Sequence, residues 1–298
     1  MAPAVLSPVH LLVPSRCRLG EGPLWDPSRQ TLFWSDIDGG EIHAWHQPSG
    51  ASRRVYRGDP VGGFTLEADG ALALFRVGDI SRFDLDTGEL QSRPFSDPGM
   101  KRFNDVTADF RGRVFAGTIG RDDASGGLHR VDPDGSSRLL FRGTEVANGM
   151  GFSLDRRTFY WTDSTARKIF AFDYDEADGG LSGRRVFYAC GPDEGAPDGL
   201  CVDREGYLWS ARWGGSRVVR HAPGDGHIIE SLAVPAFCVT SCCFGGPENS
   251  TLFVTSARPA DEPEASRAGG LWAAPTATAG LPGRCSRLFS ASGVKRAS

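Results

Sequence analysis

A tetrapeptide of one pattern recurs six times along this chain, as Glu21-Gly-Pro-Leu, Gly62-Gly-Phe-Thr, Asn104-Asp-Val-Thr, Asn148-Gly-Met-Gly, Asp198-Gly-Leu-Cys and Thr240-Ser-Cys-Cys. The second residue is small or turn-forming each time, and the third is apolar. First residues stand at 21, 62, 104, 148, 198 and 240, giving spacings of 41, 42, 44, 50 and 42. A repeat of about 40–45 residues holding several strands is the signature of a β-propeller.

Each repeat continues alike. A polar turn follows the tetrapeptide (26–30, 67–70, 109–112, 153–157, 203–206, 245–250). Next comes a β-branched or aromatic run such as TLFWSDI or TFYWTDS. Third and fourth runs follow, such as KIFAFDY and RRVFYAC, bounded by Gly, Asp and Pro as strands are. Four strands in each of six repeats predict an all-β, six-bladed propeller of antiparallel strands, occupying 1–298 as a single domain, with no amphipathic helix of useful length. Either VHLLV near the start or SRLFSA near the end could supply the outer strand that closes the last blade.

Composition narrows the function classes. The 298 residues are 40% hydrophobic and 23% charged, with net charge −4 and both signs interspersed. That balance carries no electrostatic footprint for nucleic acid or an anionic membrane. No apolar stretch approaches the roughly 18–20 residues of a membrane span, and the first residues lack the pattern of a secretory signal. Seven cysteines without a framework spacing read as small buried hydrophobes in a reducing compartment. The chain is expected to be cytoplasmic, a monomer or weak homo-oligomer, acting on a small molecule.

The first column of the tetrapeptide carries the chemistry. Its residues are Glu21, Gly62, Asn104, Asn148, Asp198 and Thr240, and four of them offer oxygen donors. Taken singly, each reads as a strand-start turn former. In a propeller, equivalent positions of the innermost strands form a ring, so the four converge at one mouth of the channel. Two carboxylates and two amides buried there are costly without a partner, and a bound cation relieves that cost. Oxygen-only ligation favours Ca²⁺, Mg²⁺ or Mn²⁺, with Zn²⁺ or Fe²⁺ also open. Gly62 and Thr240 are expected to leave one side of the ion free for substrate.

With these stretches the chain resembles the regucalcin/gluconolactonase (senescence-marker-protein) family of lactonases, which are metal-dependent six-bladed propellers. The matching segments are LGEGPLWD (19–26), RFNDVTAD (102–109), GRVFAGT (112–118), NGMGFSLD (148–155), FYWTDS (159–164), FDYD (172–175), PDGLCVDREGYLW (197–209) and SCCFGG (241–246). The resemblance implies that Glu21, Asn148 and Asp198 hold one divalent metal ion and that Arg102 and Asn104 contact a sugar lactone. It also implies hydrolysis of an aldonolactone, a carboxylic-ester hydrolase activity, in which Asp198 is the expected general base. The segment GRDDASGG (120–127) is short where animal members carry a lid, so lid contacts are not carried over. Asp163 is open between a partner behind the metal ligands and a strand-end turn former.

Other residues read as bystanders. His43 and His46 fall on opposite faces of a strand. The Cys242-Cys243 pair occupies a core-strand position, and no G-x-S-x-G elbow is present. Two other functions remain: hydrolysis of organophosphate esters by the same metal ring, and a non-catalytic calcium-binding propeller.

Overall fold

The computed structural model describes residues 9–263 and 266–289. Strand β1 (His10–Val13) precedes five four-stranded sheets in chain order. The first holds β2 (Gly20–Asp26), β3 (Thr31–Asp36), β4 (Glu41–His46) and β5 (Ala51–Arg57). The second holds β6 (Val61–Leu66), β7 (Leu72–Arg76), β8 (Asp79–Phe83) and β9 (Leu90–Pro94). The third holds β10 (Met100–Ala108), β11 (Val114–Gly120), β12 (Gly126–Val131) and β13 (Ser137–Thr144). Next come β14 (Ala147–Phe152), β15 (Thr158–Asp163), β16 (Lys168–Asp175) and β17 (Gly180–Ala189), then β18 (Ala196–Val202), β19 (Leu208–Trp213), β20 (Arg217–His221) and β21 (Ile228–Ala233). The sixth sheet runs β22 (Val239–Gly245), β23 (Thr251–Ser256), β24 (Leu271–Pro275) and then back to β1. All pairings within these sheets are antiparallel. The inner strands β2, β6, β10, β14, β18 and β22 pack one against the next, and β22 returns to β2. This is the expected six-bladed propeller.

Ring closure falls to the N-terminal candidate. His10, Leu11 and Val13 pair with Ala273, Trp272 and Leu271, so the start of the chain is stitched to its last blade. The other candidate, 286–291, is not a blade strand over its described residues. It belongs to a strap crossing the end of the channel opposite the tetrapeptides. Arg204 N–H donates to Ala279 O (2.8 Å), and Arg284 Nε donates to Ala108 O (2.8 Å). The buried Glu67 carboxylate then accepts from Ser286 Oγ, Leu288 N (3.2 Å) and Phe289 N (3.0 Å). A strand-like pattern therefore lost to a fixed acceptor on β6's following turn.

The core lies between blades, where aromatic faces interdigitate. Between the third and fourth, Phe115, Phe152, Phe159 and Trp161 are fully buried in one cluster. The outer strand β9 faces solvent along its whole length. Turn carboxylates fix the hairpins after the inner strands: Asp109 accepts from Arg111 and Arg113 N–H groups, and Asp203 from those of Glu205 and Tyr207.

Candidate metal and substrate site

All six inner strands slip in register at the tetrapeptide: between Glu21 and Leu24, Val61 and Gly63, Phe103 and Val106, Asn148 and Met150, Pro197 and Leu200, and Val239 and Ser241. The sequence repeat is thus a repeated β-bulge. A bulge adds local twist and re-aims the side chain beside it. Crowding around the axis explains the small residues. A Cβ on Gly62 would stand 2.0 Å from Phe103 O, and one on Gly149 would stand 2.5 Å from Asp198 O.

The bulges bring Glu21, Arg102, Asn104, Asn148 and Asp198 into the wall of one cavity of about 250 Å³ at the channel mouth. Ser164 completes the polar lining, while Leu19, Ile119, Val146, Ala196 and Trp213 supply apolar wall. All five sequence-derived site residues therefore share one site. Gly62 and Thr240 do not line it. Gly62 yields its space to the backbone of β10, and the buried Thr240 hydroxyl donates to Gly20 O (2.5 Å) and accepts from Thr255 Oγ1 (2.9 Å). These two positions serve packing between inner strands, which corrects their reading as an open side of the ion.

A chain of hydrogen bonds orders the amides. Arg102 Nη1 donates to Asn104 Oδ1 (2.6 Å), and Asn104 Nδ2 donates to Ala147 O (2.9 Å) and Asn148 Oδ1 (3.0 Å). Asn148 Nδ2 donates to Ser164 Oγ (3.0 Å), which donates to Pro197 O (2.7 Å), next to Asp198. Ser164 had no place in the sequence reading; its only signal was its position beside Asp163. Asp163 itself is the turn former, accepting from Ala166 N–H (2.9 Å). No residue of 120–127 lines the cavity.

Buried carboxyls crowd the site. Asp198 Oδ1 is buried with no hydrogen-bond partner. Burial pushes the Asp198 carboxyl well above the ordinary range, and Glu21 and Asp105 push it further. Glu21 is raised to about 8 by burial and by Asp105, against a backbone hydrogen bond from Gly22 (3.2 Å) and the Arg102 charge. Asp105, raised to about 7 by burial, lines the channel beyond the site. It is the one acid in a column of the tetrapeptide otherwise Gly or Ser, which is the signal it carries in the sequence. Burial pulls the Arg102 guanidinium below its usual range, and Asp38 and Glu21 oppose that.

The residues fit a divalent ion. An orphaned carboxylate oxygen, a second buried carboxylate and an amide oxygen form a hard donor set suited to Ca²⁺, Mg²⁺ or Mn²⁺. Among the described residues no group of three or more His, Cys, Asp or Glu is gathered to hold a metal, so the amide of Asn148 would have to serve as a ligand. All seven cysteines are free, and among the described residues no helix is long and apolar enough to cross a membrane.

Comparison with known proteins shows the family. The family model for the SMP-30/Gluconolactonase/LRE-like region matches residues 19–258. A pentonolactonase of Haloferax volcanii is 40% identical over 286 residues, covering 92% of this chain and 96% of the relative. Human regucalcin is 34% identical, with 86% and 89% covered. Among solved structures, a regucalcin from Agrobacterium tumefaciens, described as calcium-binding, superposes with a TM-score of 0.88 at 28% identity, covering 96% of this chain and all of that one. A gluconolactonase from Xanthomonas campestris gives 0.74 at 26% identity, covering 90% and 89%. By sequence and by fold, the chain belongs to the SMP-30/gluconolactonase/LRE-like family.

Proposed function

We propose that this chain is a divalent-metal-dependent lactonase, a carboxylic-ester hydrolase that opens a sugar lactone to its aldonic acid. The observation that carries the reading is the buried, unpartnered Asp198 Oδ1, which shares a cavity with Glu21, Asn148 and the Arg102–Asn104 pair. The pentonolactonase and gluconolactonase relatives support the substrate class.

Glu21, Asn148 and Asp198 would hold the ion, leaving positions open toward the cavity as catalytic sites require. When bound, the ion supplies a Lewis acid for the ester carbonyl and lowers the pKa of water. Asp198 takes the proton of the attacking water at a carboxylate oxygen and returns it to the ring oxygen as the C–O bond breaks. A carboxylate that also serves as ligand stays ionised and is a weak base; burial raises its proton affinity and the ion's charge opposes that.

The hydrogen-bond chain divides the substrate contacts. Both amide hydrogens of Asn104 are used, so it meets substrate only through Oδ1, as an acceptor from a sugar hydroxyl. The remaining Arg102 donors face substrate oxygens.

The decisive experiment is hydrolysis of five- and six-membered aldonolactones by metal-stripped protein, before and after adding single divalent ions, with Asp198→Asn in parallel. Turnover that depends on added metal and drops by about 10³-fold or more in the variant supports the reading. Full activity in metal-free protein would sink it.

A further inference from the structure

The chain has seven tryptophans, and six of them are buried. Trp25, Trp34, Trp45, Trp161 and Trp209 each pack against another ring, and Trp272 Nε1 donates to Ser256 Oγ (3.2 Å). Trp213 does neither among the described residues. It is 39% exposed, and it is the one aromatic residue lining the cavity at the channel mouth.

Local structure explains where the indole goes. Trp213 ends β19, where its backbone pairs with Ala196 on one side and bridges to Cys238 on the other. A backbone paired on both sides leaves the side chain as the exposed part. The preceding residue, Arg212, is fully buried and sends its guanidinium to Cys190 Sγ (2.8 Å) and His221 Nε2 (2.7 Å). Successive side chains on a strand alternate in face, so the indole leaves β19 on the side opposite that cluster. Ala196 and Asp198, on the strand beside it, line the same cavity.

We propose that Trp213 is the platform for the C–H face of the lactone ring, and that it makes the site selective for the closed ring over the opened acid. This role rests on the lactonase reading and adds the residue that tells substrate from product.

The chemistry follows from what the cavity presents. Its polar groups suit the carbonyl and hydroxyls at the edge of a lactone ring. The rest of the lining, Leu19, Ile119, Val146 and Ala196, is aliphatic, so the indole alone offers a π face. A sugar lactone carries polarised C–H groups on its faces, and the negative face of an aromatic ring attracts them. Opening turns that rigid face into a flexible chain, which must be ordered at an entropic cost to regain the contact. Affinity therefore falls as the product forms, which favours its release.

The test uses two lactams that keep the sugar ring, glucono-δ-lactam and arabinono-γ-lactam, and the matching open acids, gluconate and arabinonate. Each is added to Ca²⁺-loaded wild type, Trp213→Phe and Trp213→Ala. With the other six tryptophans buried, acrylamide quenching of wild-type fluorescence reports Trp213. A saturating lactam should protect it from acrylamide, and the open acid should protect it less. By calorimetry, the lactam Kd should rise about fivefold in Trp213→Ala, the scale of one aromatic contact, and recover in Trp213→Phe. The Kd of the open acid should change by less than about twofold, since it makes little of that contact. No protection by either lactam, or equal changes in Kd for lactam and acid, overturns the proposal. Neither readout needs turnover. A wild type that binds a lactam against Trp213 yet opens no aldonolactone with any divalent ion overturns the lactonase reading instead.

Discussion

Ser164 Oγ joins the two strands that carry Asn148 and Asp198: it accepts from Asn148 Nδ2 at 3.0 Å and donates to Pro197 O at 2.7 Å. One hydroxyl thereby fixes which atom of the Asn148 amide faces the cavity. Partners behind metal ligands set ligand orientation and typically matter about 10–100-fold in metal affinity. Ser164→Ala should weaken divalent-ion binding by about tenfold in calorimetric titration, and Ser164→Thr should recover most of it. An unchanged affinity in the alanine variant would remove Ser164 from the site.

The acidic floor makes stability depend on pH and metal together. Glu21 is raised to about 8 and Asp105 to about 7, chiefly by burial. A carboxyl raised on folding contributes stability that is complete below the ordinary carboxylate range and lost as pH rises through its folded value. Metal-free protein should therefore lose stability from about pH 5 to pH 8. The gain in Tm from a saturating divalent ion should grow over the same interval, because the ion displaces protons. Thermal melts with chelator and with metal across that range check both signs.

Gly62 tests the packing account of the repeat. With a Cβ placed 2.0 Å from Phe103 O, alanine there must push β6 away from β10. Overpacking of this kind costs about 1–3 kcal/mol. Gly62→Ala should lower the urea midpoint of metal-free protein accordingly, and its effect should persist without metal. Wild-type stability in this variant would show that the inner strands are looser than described.

The strap across the far end hangs on Glu67, whose carboxylate gathers Ser286 Oγ and the Leu288 and Phe289 N–H groups. Glu67→Gln keeps the shape but replaces an acceptor-only group with one that must also donate. Loss of charge-assisted bonds to a buried site should cost about 1–3 kcal/mol. Limited proteolysis should then cut sooner between residues 276 and 289, at the opposite end of the channel from the proposed metal ligands.

How much of this could be read in advance varied by residue. Strand runs such as TFYWTDS fell within a residue of β15, because β-branched and aromatic alternation is a local property. Asn104, Asn148, Asp198 and Glu21 were recoverable because a closed repeat turns one column into one place. Arg102 came through family resemblance. Ser164 and Trp213 were not legible, since each is defined by a neighbour on another strand or blade.

The six tetrapeptides and the apolar runs that follow them determined the number of blades, the four strands in each and the ring of oxygen donors, since period and residue type survive without coordinates. Tertiary structure decided that each tetrapeptide is a bulge, that β1 rather than the C-terminal segment closes the ring, and that Gly62 and Thr240 pack rather than open the site. Those outcomes depend on how closely neighbouring backbones approach the axis and on which buried acceptor, such as Glu67, captures a segment. No single stretch of sequence contains either quantity.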